Sequence, residues 1–142
     1  MARATSLAIV LSSMLFGGCA TSPPPEPLAA PAPMAEPARF DEAAAALDAG
    51  IGLYEGGRYD AATVELRRAL ELGLKTPAEA VHARKHLAFI LCAGGNLPEC
   101  RDEFRAAFAI DPRFTLGKAE AGHPMWGPAF IEVRKEFAAG AR

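Results

Sequence analysis

The chain repeats itself at a fixed interval. Gly57, Ala62, Leu66 and Ala69 recur 38 positions later as Gly95, Cys100, Phe104 and Ala107, and Gly50 recurs as Ala88. Self-similarity at one period is the signature of a stacked array of like units. It therefore constrains the fold more than any single motif does. Each unit places small residues before and after a glycine turn, with large apolar residues between them. Small residues let two antiparallel helices approach closely, large ones fill the seam, and glycine permits a tight turn.

Helix signals divide the repeated region into four segments. Asp41 is a plausible N-cap for a first helix reaching about Glu55, stopped by Gly56-Gly57. A second runs from about Asp60 to Leu72 and stops at Gly73. Thr76-Pro77-Ala78-Glu79 has the form of a capping box with proline at the first helical position, and it opens a third helix to about Ala93. Pro98 opens a fourth, which ends at Asp111-Pro112. Trp126, Phe130, Val133 and Phe137 then fall on one helical stripe, with Pro128 in the first turn. That fifth helix is expected to close the open end of the second unit, because two units alone fall short of the roughly three that an array needs. The string Gly122 to Phe130 is expected to form a packed corner with the indole docked on the core.

The unit resembles the tetratricopeptide repeat. One copy carries the pattern as Gly50, Leu53, Gly57, Tyr59, Ala62, Leu66 and Ala69, the other as Ala88, Leu91, Gly95, Leu97, Cys100, Phe104, Ala107 and Pro112. The family period is about 34 residues; here the extra residues sit near Thr76 to Ala80, and Leu74 stands where a terminal proline is usual. The resemblance implies an all-α fold of two helix-turn-helix repeats with a C-terminal capping helix. It also implies a concave groove lined by His82, Lys85, His86 and Phe89. In that family such grooves bind extended peptides or partner helices, and this basic and aromatic lining would suit an acidic or carboxylate-bearing partner. A solvated face with one aromatic packed on the neighbouring repeat is the alternative.

The amino terminus has a different character. Arg3, an apolar run from Leu7 to Phe16 and then Gly17-Gly18-Cys19 describe a secretory signal. The apolar run is shorter than the ~20 residues of a spanning helix. Gly-Gly-Cys resembles the lipobox of bacterial lipoproteins, with Phe16 in place of the usual leucine. The resemblance implies cleavage after residue 18 and a diacylated Cys19 thiol with an acylated amine. Ala20, where an aspartate would signal retention, resembles lipoproteins sorted to the outer membrane. Seven prolines between Pro23 and Pro37 exclude helix and sheet, so residues 19–39 read as a disordered or extended tether. Residues 40–142 form the expected helical domain.

Export decides how the other two cysteines are read. Cys92 ends the third helix and Cys100 begins the fourth, so antiparallel packing sets them face to face. Outside the cytoplasm they are expected to join; buried thiols in the helix seam are the alternative. His82 and His86, four apart, could share a metal ion, but no further ligand or catalytic glutamate accompanies them. Without residues 1–18 the chain carries 14 basic and 17 acidic side chains, which offers no basic face for nucleic acid. Serine occurs only at positions 6, 12, 13 and 22, so the helical domain holds no serine nucleophile.

Lys85 to Ile90, Cys92, Cys100 to Phe104, Asp111 to Phe114 and Gly122 to Phe130 are together similar to small tetratricopeptide lipoproteins associated with bacterial type VI secretion. The expectation is a non-enzymatic accessory on the periplasmic side of the envelope. It needs no cofactor, is anchored through Cys19 and binds envelope or secretion-system proteins. A structural lipoprotein binding peptidoglycan or stabilising the outer membrane is the alternative, and a metal-dependent enzyme the third.

Overall fold

The structure, a computed structural model, describes residues 35–140. The signal, Cys19 and most of the expected tether lie outside the described residues. Among these residues the fold is all-α: α1 (Glu36–Glu55), α2 (Tyr59–Leu72), α3 (Pro77–Ala93), α4 (Leu97–Ile110), α5 (Lys118–Ala121) and α6 (Gly127–Gly140). No described helix is long and apolar enough to cross a membrane.

The first helix begins at Glu36 rather than near Asp41, so the segment from Glu36 to Arg39 is helical rather than tether. Pro37 explains the difference. It sits in the first turn, where a missing N–H costs no intrahelical bond. At α3 the expected capping box is present: Glu79 N–H donates to Thr76 Oγ1 at 3.2 Å, and Thr76 N–H donates to Glu79 Oε2 at 2.8 Å.

The two hairpins, α1–α2 and α3–α4, are built with the same turn. Gly57 and Gly95 both have positive φ, 72° and 82°, a conformation that costs other residues a steric penalty. Gly57 N–H donates to the Tyr54 carbonyl at 3.0 Å and Gly95 N–H to the Cys92 carbonyl at 3.1 Å. Arg58 N–H then reaches back to Leu53 at 2.8 Å, as Asn96 N–H reaches Leu91 at 2.9 Å. These are the paired bonds of a helix C-terminal motif that satisfies the last carbonyls. Inside the first hairpin Gly50 is obligatory for close packing, since a Cβ there would lie 2.8 Å from Leu66 Cγ.

Each hairpin stacks on the element next along the chain. Ala46, Leu47, Leu66 and Ala69 of the first meet Ala83 and Leu87 of α3, with Ile51, Leu70, Leu74 and Ile90 around them. The second hairpin meets the C-terminal segment. Phe130 of α6 lies 5.3 Å from Phe104, 5.5 Å from Phe108 and 5.6 Å from Phe114, while Phe137 stacks on Phe108 at 5.3 Å. Outside this apolar seam, Arg101 and Arg105 of α4 pair with Glu132 and Glu136 of α6 at 2.8 and 2.9 Å. These arginines form a two-rung ladder holding the capping helix. Exposed pairs of this kind each contribute about 0.2–1 kcal/mol.

Cys92 Sγ and Cys100 Sγ are 2.06 Å apart, across the α3–α4 turn. Closing so short a loop stabilises by about 2–3 kcal/mol, chiefly by restricting the unfolded chain. Reduction, or Cys92→Ala with Cys100→Ala, is expected to lower unfolding stability by that amount in a guanidinium titration. A midpoint unchanged by reductant, with both thiols then titratable, would contradict it.

Candidate interaction site on the third helix

Successive faces of α3 have different neighbours. Ala83, Leu87 and Ile90 face back towards the first hairpin. Phe89 faces forward, where it packs with the core of the second hairpin and the C-terminal segment. Its counterpart 38 positions earlier is Ile51, which faces forward from α1 into α3 in the same way.

The structure brings His82, Lys85, His86 and Phe89 onto one side of α3, but it does not leave them as an open groove. His82 is exposed and Lys85 half-buried, whereas His86 and Phe89 keep only 6 % and 2 % of their surface. The cover is the chain's own segment between α4 and α6. The Trp126 indole stacks on Phe89 at 4.2 Å between ring centres, with planes 22° apart. His123 stacks on the other side of the indole at 3.5 Å. Trp126 Nε1–H donates to the Glu120 carbonyl at 2.9 Å. The Glu120 carboxylate accepts from Lys85 Nζ at 2.6 Å and from Gly117 N–H at 2.9 Å. Two of the four expected groove residues are thus interior. The physical reason is their direction: Phe89 points along the stacking axis, and at the end of the array something must cover it.

Burial sets the electrostatics of this cluster. His86 Nδ1 lies 2.8 Å from the His82 carbonyl oxygen, so the proton of the neutral ring sits on Nδ1. The edge of Tyr54 from α1 packs against the ring at 5.0 Å. Removal from water pushes the His86 pKa down to about 4; the His82 carbonyl opposes this, and the Lys85 and His82 charges add to it. Partial burial and Lys85 also lower His82, against the pull of Glu120 and Asp48. Partial burial alone would raise Glu120, but the bonds from Lys85 and Gly117 outweigh it and hold the carboxyl below its ordinary value.

What remains open is a cavity of about 540 Å³ bounded by Val81, His82, Lys85, Phe114, Lys118 and Glu120. Its two cations are Lys85, already paired with Glu120, and Lys118. The His82 and His86 rings are 4.6 Å apart, and among the described residues no three His, Cys, Asp or Glu side chains converge to hold a metal. Cys19 lies outside the described residues. Glu120 and Tyr54 are members of the cluster that the spacing of α3 does not reveal. The only local hint of Glu120 is its position three residues after Gly117, where its carboxylate reaches back to the start of α5.

Comparison with family models, with curated proteins and with solved structures yields no match.

Proposed function

We propose that the chain is a lipid-anchored binding module: a pair of tetratricopeptide-like repeats held at the periplasmic side of the envelope by acylated Cys19 and a proline-rich tether. It serves as a non-enzymatic accessory that docks envelope or secretion-system proteins, with type VI secretion the machinery suggested by the sequence resemblance. The observation that carries this reading is the duplication itself. The same turn bonds recur 38 positions apart in α1–α2 and α3–α4; the first hairpin receives α3 through small and aliphatic residues, and the second receives α6 through small and aromatic ones. A fold assembled from helix-receiving faces is suited to holding other helices. The export signal and Gly17-Gly18-Cys19 support the location, with Ala20 favouring the outer membrane.

The test uses the full chain, tagged at its C-terminus and extracted with detergent from cross-linked cells. A discrete envelope protein is expected to co-purify in fixed ratio, and Cys19→Ala is expected to abolish both acylation and that association. Capture of the same background proteins by the wild-type chain and by an unrelated lipoprotein would overturn the binding reading. Sedimentation with purified cell wall in place of a protein partner would support the structural-lipoprotein alternative.

A further inference from the structure

We propose that the cleft between α1 and α2, on the side away from α3, receives an amphipathic helix from a partner protein. The inference rests on the binding reading above and names the surface and the partner's chemistry. The cleft has a volume of about 650 Å³ and a floor of Ala45, Ala49, Gly52 and Leu53, with Arg58 and Arg68 at its rim.

The duplication says what belongs there. Moved 38 positions along the chain, Ala45, Ala49 and Gly52 become Ala83, Leu87 and Ile90. In the second hairpin those positions are the back face of α3, and they are covered. Ala83 and Leu87 are fully buried, and Ile90 packs beside them in the cluster that holds Leu66 and Leu70 of α2 and Leu74 just beyond its end. Leu66 and Leu70 are four apart on one aliphatic face of α2, and Leu74 continues that apolar surface just past the Gly73 cap. The equivalent face of α1 has Ala45, Ala49 and Gly52 exposed. The same interface is therefore built twice and filled once within the described residues.

Two further features favour a helix partner over a blunt end. A terminal unit that only closes an array carries a polar outer face, whereas this floor is alanine, glycine and leucine. The second copy's Leu87 and Ile90 are replaced here by Ala49 and Gly52, which deepens the cleft to admit side chains larger than those α2 presents to α3. Charge then orients the ligand. Arg68 is held by Glu42 and Glu65, while Arg58 is exposed and makes no ion pair among the described residues. The matching helix presents bulky aliphatic or aromatic residues four apart to Ala45, Ala49 and Gly52, and an acidic residue to Arg58. Helix-in-groove recognition of this kind is read through such i, i+4 anchors.

The experiment places a photoactivatable benzoyl-phenylalanine at position 49 of the full, lipidated chain in its own cells. Position 64, on the exposed side of α2, is the control. The adduct peptide is mapped by mass spectrometry. An adduct from position 49 alone, within a segment carrying aliphatic or aromatic residues four apart, is the expected result. Gly52→Trp supplies the second arm. A Cβ at Gly52 meets nothing within 4 Å, so an unchanged melting curve is expected. The plugged cleft should lose about tenfold or more of its adduct, the equivalent of one buried aliphatic side chain. The same adducts from positions 49 and 64, an adduct to a second copy of this chain, or a yield indifferent to Gly52→Trp would overturn the proposal. A partner that still co-purifies while position 49 captures nothing would overturn the cleft and leave the binding reading standing. Loss of the co-purifying partner altogether would remove both.

Discussion

Trp126→Ala is expected to destabilise the domain by about 3 kcal/mol, the lower range for truncating a large aromatic. Three contributions are lost together. The indole covers Phe89 at 4.2 Å, its Nε1–H satisfies the Glu120 carbonyl, and its far face supports His123. Without it Phe89 faces water, and the short helix carrying Glu120 loses its anchor. Trp126→Phe separates the terms: it keeps an aromatic on Phe89 and gives up the hydrogen bond, worth about 1 kcal/mol. The measurement is a guanidinium titration followed by helical circular dichroism. A loss below about 1 kcal/mol for alanine, smaller than a single hydrogen bond and stack combined, would mean that the segment does not seat on α3.

Acid is expected to weaken the fold in two distinguishable windows. His86 titrates near 4 in the folded protein, against 6.5 for the free side chain. Between those values the unfolded chain binds a proton that the folded chain does not, so stability falls as pH drops from 6.5 to about 4. At 1.36 kcal/mol per unit the loss is about 3 kcal/mol at most, with His82 adding in the same direction. Glu120 acts in the same sense at lower pH. Its folded value lies below the ordinary 4.5, so its contribution is present above that value and is lost as pH falls beneath it. Stability measured at intervals from pH 8 to pH 4 should be flat above about 7 and then decline. His86→Phe, which cannot titrate, should flatten most of the decline above pH 4.5. An unaltered slope in that variant would assign the acid sensitivity to other groups.

The reach and limits of the sequence are set by the same residues. Period-38 matches locate both hairpins because turn glycines and seam residues are dictated by local geometry, and Gly57 and Gly95 indeed share one backbone conformation. The capping box at Thr76 and the Cys92–Cys100 pair are likewise local. The apolar stripe through Phe130 and Val133 marks α6 correctly, since both are buried. The start of α1 is hidden by Pro37, which looks the same in a tether and in a first helical turn. The groove is misjudged from spacing for a less local reason. Spacing puts His82, Lys85, His86 and Phe89 on one side of α3, but an arc of some four residues spans both the groove and the stacking direction. Only the tertiary position of Glu120 and Trp126, 35 and 37 positions from the Lys85 and Phe89 they contact, decides which of the four meets solvent. The long-range ladder from Arg101 and Arg105 to α6 is invisible in the sequence for the same reason.

The second hairpin is sealed at its C-terminal end by the chain's own Trp126 corner and α6. Trp126 is the only tryptophan, which makes its indole protons easy to isolate. The most direct measurement is the nuclear Overhauser effect between the Trp126 indole and the Phe89 ring in the folded, oxidised protein. Strong cross-peaks are predicted, as ring centres 4.2 Å apart require. Their absence, with Phe89 ring protons open to a paramagnetic probe in solvent, would contradict the account and return the side of α3 to the surface.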